Sequence, residues 1–229
     1  MARTRRIAPA GMVFHVLNRA NGGARIFSTN ADYQAFLKVV EQAIERSEMR
    51  LLAYSVMPNH FHLVEWPTAD GQLSRCVAWM TNTHVQRYRT AHRTVGAGHL
   101  YQGRFKSFPV QSDDHLLAVI RYVERNAMTA GLVTRAEDWR WSSLWARLHN
   151  CEGTLCSWPV RRPKDWVSLV NRPMTAREHG SIRCSMVKGC PYGSSAWKAD
   201  VTARLELTAT TRAAGRPKKP RTVTRGKGS

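Results

Sequence analysis

Two histidines one residue apart, His60-Phe61-His62, sit in the apolar run Phe61, Leu63, Val64, Trp66. In an extended strand residues i and i+2 face the same way, so both imidazoles project side by side and can close on one divalent ion at about 2.0–2.1 Å. Two imidazoles leave a coordination sphere incomplete, and the missing ligand and reacting group are sought in a later helix. There Leu116, Val119, Ile120, Val123, Ala127 and Ala130 form a buried stripe at helical spacing. Tyr122 and Asn126, four residues apart, share one border of it, with Arg121 and Arg125 on the more exposed side. A phenol, an amide and two guanidiniums on adjoining faces suit a phosphate held in a cleft. A tyrosine can attack a phosphodiester and keep the DNA end as a phosphotyrosine, storing the bond energy so that rejoining needs no nucleotide cofactor. The phenol, with an ordinary pKa of about 10, is a poor nucleophile at neutral pH. Mg²⁺ or Mn²⁺ on His60 and His62, with Asn126 offering an amide oxygen, would polarise and orient the phosphate.

The charge balance narrows the substrate. The chain carries 35 Lys and Arg against 16 Asp and Glu, a formal net charge of +19. That excess is far beyond what solubility requires and points to a polyanion, with nucleic acid the first candidate because each neutralised phosphate releases a counterion. No segment approaches the ~18–20 apolar residues of a membrane span, and no apolar core follows the N-terminal charges. The expectation is a soluble cytoplasmic protein, associated with bacterial nucleoid DNA. Candidate DNA contacts are Arg3, Arg5 and Arg6 at the N-terminus, Arg19 in the first turn, Arg104 and Lys106 beside aromatics, and Arg121 and Arg125. The last stretch, 212–229, holds seven basic residues and no acidic one and reads as a flexible tail. Within it, Gly215-Arg216-Pro217-Lys218-Lys219 is similar to the core of an AT-hook, which would set Arg216, Lys218 and Lys219 in a narrow minor groove. A plain solvated basic tail is the alternative. Five cysteines without a C-x-x-C pair read as ordinary reduced thiols.

The elements that must position these groups follow from periodicity. Met12 to Leu17 alternates as a half-buried strand and runs into a turn rich in Asn and Gly. From Asn30, taken as an N-cap, Tyr33, Phe36, Leu37, Val40 and Ile44 recur at helical spacing. Leu51 to Met57 and Phe61 to Trp66 form two strands joined by the tight turn Met57-Pro58-Asn59. Alternation turns Glu65 away from the histidines. A second helix starts near Asp70, a strand covers Arg104 to Val110, and a third helix is capped by Ser112 and ended by Gly131. This order is βαββαβ, an α+β ferredoxin-like sandwich with an antiparallel central sheet. Domain limits follow: 1–133 for the sandwich and third helix, 134–211 for a helical extension packed by tryptophans, and 212–229 for the tail. His15 and His115 are expected to be structural.

Three blocks carry a resemblance: Met57-Pro58-Asn59-His60-Phe61-His62-Leu63-Val64, Tyr101-Gln102-Gly103-Arg104-Phe105-Lys106-Ser107-Phe108 and Arg121-Tyr122-Val123-Glu124-Arg125-Asn126. In this order they resemble the signature blocks of REP-associated tyrosine transposases, relatives of the single-tyrosine HUH transposases, over about residues 7 to 146. The resemblance implies an HUH nuclease domain that nicks and joins single-stranded DNA beside imperfect hairpins, the repetitive extragenic palindromes. By position it makes His60 and His62 metal ligands, Tyr122 the nucleophile, and Asn126 the polar metal ligand. Such proteins commonly have Asn-Pro after the tyrosine, whereas Ala127 follows Asn126 here, which predicts a straighter helix. The alternatives are a non-catalytic hairpin-DNA-binding repressor and a metal hydrolase acting through activated water. A monomer is favoured over a dimer because the C-terminal extension is long enough to cover a pairing surface.

Overall fold

The computed structural model describes residues 7–211. Along the chain run β1 (Val13–Arg19), α1 (Asn30–Ser47), β2 (Arg50–Met57), β3 (His60–Trp66), α2 (Gln72–Ala91) and β4 (Lys106–Val110). The strands form one sheet in the order β2-β3-β1-β4, every neighbouring pair antiparallel. This is the expected α+β sandwich, with α1 and α2 on one face. Register decides what each face carries. Leu17 lies opposite His62 and Arg19 opposite His60, so these four side chains share a face. Phe14, Val16, Tyr54, Val56, Phe61 and Leu63 bury on the other face, against Phe36, Val40 and Ile44 of α1 and Leu73, Val77 and Met80 of α2.

The face bearing the histidines is covered by α3 (Asp114–Glu124), whose Leu116, Val119, Ile120 and Val123 pack with Val13, Ala53, Val64, Phe108 and Val110. Several local expectations shift. Thr29, not Asn30, caps α1, and its hydroxyl and the Asp32 carboxylate close a reciprocal capping box. Asp113 rather than Ser112 caps α3 by accepting from the His115 N–H. Strand β4 begins at Lys106, leaving Arg104 in the preceding loop.

The third helix does not run unbroken to Gly131. It stops at Glu124 and resumes as α4 (Asn126–Thr129), although no proline interrupts it. The side chains at the break and just after it are tied to distant parts of the chain. The Arg125 guanidinium donates to the carbonyls of Val170 and Asn171 at 2.8 and 2.6 Å, and the Asn126 amide reaches His62.

The following segment adds α5 (Ser143–Leu148), α6 (Trp166–Asn171), α7 (Ala176–Lys188), α8 (Ser195–Arg204) and α9 (Thr208–Thr211). It wraps both sheet edges, which would otherwise expose unpaired backbone groups. At β2, the Val56 N–H donates to Trp141 O, and the Cys156 N–H to Leu51 O. At β4, Tyr192 exchanges backbone hydrogen bonds with Pro109 and Gln111. The tryptophans act as expected in packing: Trp139 and Trp158 donate their indole N–H to Val56 O and Leu52 O, and Trp166 donates to the buried Glu124 carboxylate at 2.7 Å. All five cysteines are free thiols. No helix among the described residues is long and apolar enough to cross a membrane.

Candidate active site

The turn Pro58-Asn59 delivers His60 to the first position of β3, and alternation places His62 beside it, with ring centroids 4.9 Å apart. Each imidazole is held from behind through Nδ1. His60 Nδ1 donates to Asn59 Oδ1 at 2.6 Å, which leaves Nε2 with its lone pair. His62 Nδ1 meets His15 Nε2 of β1 at 2.9 Å, and its Nε2 faces the Asn126 amide nitrogen at 3.1 Å. With that amide donating, His62 carries its proton on Nδ1 and gives it to His15, whose own Nδ1 has no partner among the described residues. His15, expected to be structural, therefore touches the site directly. Burial, assisted by the Arg19 charge, lowers the His60 pKa to about 4. Burial, then the neighbouring His60 and His15, holds His62 well below its ordinary value. Both rings are neutral at physiological pH, the state in which imidazole binds a metal.

The helix interruption matters here. Tyr122 lies in the last turn of α3 and its ring meets His62 edge-on, with centroids 5.9 Å apart. Asn126 opens α4 and comes to His62 Nε2. Tyr122, Asn126, His60 and His62 thus line one cavity of about 410 Å³, together with Leu17, Arg19, Lys106, His179 and Arg183. Burial is the main influence on the Tyr122 phenol and pushes its pKa up, while the Arg183 charge and the Asn126 amide work against it.

Among the described residues no group of three or more His, Cys, Asp or Glu is arranged to hold a metal. The donor set at this cavity is two neutral imidazoles plus an amide, whose oxygen replaces its nitrogen on a half-turn about the terminal torsion. These are borderline and hard donors on one side of an open cavity, compatible with a divalent ion that keeps positions for water and substrate.

The charged candidates divide. Arg19 and Lys106 line the cavity, exposed and without ion-pair partners among the described residues. Arg121 and Arg125, expected to face a phosphate, are instead turned into the extension. Arg121 donates to Arg172 O and Pro173 O at 2.7 and 3.0 Å, beside the Arg125 contacts already described, because carbonyls left free around the end of α6 offer stronger partners than water. Arg104 lies in a separate groove of about 710 Å³ with Asn18, Asn82 and Gln102. His115 bonds Asp113 and packs on Tyr192. Arg3, Arg5, Arg6, Arg216, Lys218 and Lys219 lie outside the described residues. His179 and Arg183 were missed by sequence reasoning. Their one available signal was an i, i+4 spacing that any helix surface can show.

A family model described as "Transposase IS200 like" matches residues 10–126. No curated protein sequence matches the chain. Among solved structures, a REP-associated tyrosine transposase bound to a REP hairpin aligns at a TM-score of 0.53 and 16% identity, covering 77% of this chain and 100% of that one. A candidate transposase from Deinococcus radiodurans aligns at a TM-score of 0.40 and 15% identity, covering 55% of this chain and 97% of that one.

Proposed function

This chain belongs to the IS200-like transposase family, and from that premise we propose that it is a DNA strand transferase. It binds a folded single-stranded hairpin of the REP type, cuts beside it and rejoins the ends through a 5′-phosphotyrosine on Tyr122. The observation that carries this reading is the convergence of Tyr122, His60, His62 and Asn126 on one cavity that also holds Arg19, Lys106 and Arg183. The solved REP-associated transposase was captured on a REP hairpin, which supports the choice of substrate.

In the forward step the Tyr122 oxygen forms a bond to phosphorus and the bond from phosphorus to the 3′ oxygen breaks. The phenol loses a proton and the departing 3′ oxygen gains one, so the step is neutral in protons. Rejoining reverses it, with a 3′-hydroxyl displacing the tyrosine. His60, His62 and Asn126 would hold Mg²⁺ or Mn²⁺, which when bound supplies charge for a non-bridging phosphate oxygen. Asn59 and His15 keep the two imidazoles turned toward that position. The packing of α3 on the sheet fixes the Tyr122 ring against His62. The working form is a monomer, since this chain's own segments occupy both sheet edges and its own α7 closes the cavity.

Denaturing electrophoresis of labelled hairpins taken from palindromes beside the coding region tests the reading. The wild type yields DNA that stays attached to protein after boiling in detergent, and Tyr122→Phe yields none. Free cut ends without adduct indicate water attack instead, and tight binding without any cutting by the wild type indicates a repressor.

A further inference from the structure

The family match ends at Asn126, yet the wall of the cavity facing the sheet is built by α7, well beyond it. We propose that α7 is part of the substrate site: Arg183, together with Arg19 and Lys106, binds a backbone phosphate of the DNA strand. This rests on the reading of the Tyr122 cavity as a strand-transfer site and names a contact which that reading does not require.

His179 and Arg183 are one helical turn apart on the same face of α7. The His179 ring lies 5.6 Å from that of Tyr122, and the Arg183 charge acts on the Tyr122 phenol. Arg19 enters the cavity from the end of β1 and Lys106 from the start of β4. Among the described residues no Asp or Glu lines this cavity, and none of the three cations forms an ion pair. Three like charges converging on one opening repel one another, and an anion bound between them relieves that repulsion.

The position of α7 is fixed by the fold. A Thr175–Glu178 capping box starts it, Gly189 ends it in the left-handed conformation, and Ile182 and Ser185 are buried beneath it. The carbonyls of Arg172 and Pro173, just ahead of the helix, take the hydrogen bonds of Arg121, the residue before Tyr122. The helix bearing the tyrosine and the helix bearing Arg183 are thus tied at their near ends. A guanidinium suits the task because its planar fork donates two hydrogen bonds to one phosphate.

The test is equilibrium binding of a short single-stranded oligonucleotide of mixed sequence to the full chain across a salt series. It is done in a Tyr122→Phe background so that the outcome is independent of cleavage. Arg183→Ala should weaken binding roughly tenfold at low salt and flatten the plot of log affinity against log salt by about 0.7, the loss of one phosphate contact. Arg183→Lys, which keeps the charge, should restore the slope, and Arg183→Gln should behave as Arg183→Ala. Circular dichroism and the melting temperature should be unchanged in all three, since Arg183 is exposed. An unaltered salt slope in Arg183→Ala and Arg183→Gln overturns the proposal, as does tighter binding, which means that α7 obstructs the strand. Failure of the tyrosine chemistry leaves this result untouched.

Discussion

His62 and Glu65 are three residues apart on β3 and equally buried, but they face opposite sides of the sheet and are treated differently. On the site face His62 is engaged at both ring nitrogens, by His15 and by Asn126. On the face under α1 and α2, neither carboxylate oxygen of Glu65 has a hydrogen-bond partner among the described residues. Burial lowers the pKa of the first and raises that of the second to about 8, so both are neutral near physiological pH. Burial is the largest cause of both shifts. Partners set where an atom points, and that separates a group able to do chemistry from one whose proton is merely kept on.

Removing an aimed nitrogen should cost most. His62→Ala should lower formation of the protein–DNA adduct by about a thousandfold or more, given the several kcal/mol that a charge on the phosphate contributes. Single-turnover assays on the labelled hairpin measure this, and near wild-type rates would place the chemistry elsewhere. One layer back, His15→Phe keeps a ring against Phe108, 4.8 Å away, but deletes the acceptor behind His62. Affinity for Mn²⁺, measured by calorimetric titration, should fall by about 10- to 100-fold. Unchanged affinity would make the two faces alike, with His15 no more than packing.

The other face is probed through its pH dependence. Because folding raises the Glu65 pKa from 4.5 to about 8, the folded chain keeps a proton that the unfolded chain has released. This contribution to stability is fully present below the unfolded value and is lost as pH rises toward the folded one. Between about pH 5 and about pH 6.5 the loss is ~2 kcal/mol, and Glu65→Gln should abolish it. Urea unfolding at the two pH values decides, and a variant with the wild-type pH dependence refutes the assignment. The smallest change sharpens the contrast with a second buried carboxyl, Glu124, which has both Ser143 Oγ and Trp166 Nε1 at 2.7 Å. Trp166→Phe takes away one of those donors and should destabilise the chain by about 1–2 kcal/mol, readable as a lower urea midpoint.

Sequence reasoning was strongest where an argument stayed within one element. The strand pair around Pro58-Asn59 and the helix beginning after Thr29 appear close to their expected limits, since turn chemistry and apolar spacing act over a few residues. Gly131 ends the third helix as expected, in the left-handed conformation, but its continuity was misjudged because a proline rule speaks only to local backbone, whereas Arg125 and Asn126 at the break make contacts with distant parts of the chain. Arg121 misled for a related reason. Its place on a helix wheel shows that it leaves the core, but not whether water, DNA or a carbonyl of the extension receives it.

The amino-acid order alone determined that His60 and His62 share a sheet face and that Tyr122 and Asn126 lie on adjoining turns of helical backbone. Those relations depend only on the two-residue and 3.6-residue periods of the backbone. Tertiary structure decided that β1 sets His15 behind His62, that carbonyls of the extension take Arg121 and Arg125, and that α7 brings Arg183 to the tyrosine. These meetings join residues far apart in the chain, and no local period encodes them. They follow from which buried faces pack together and where the wrapped extension must lie to cover both edges of the sheet.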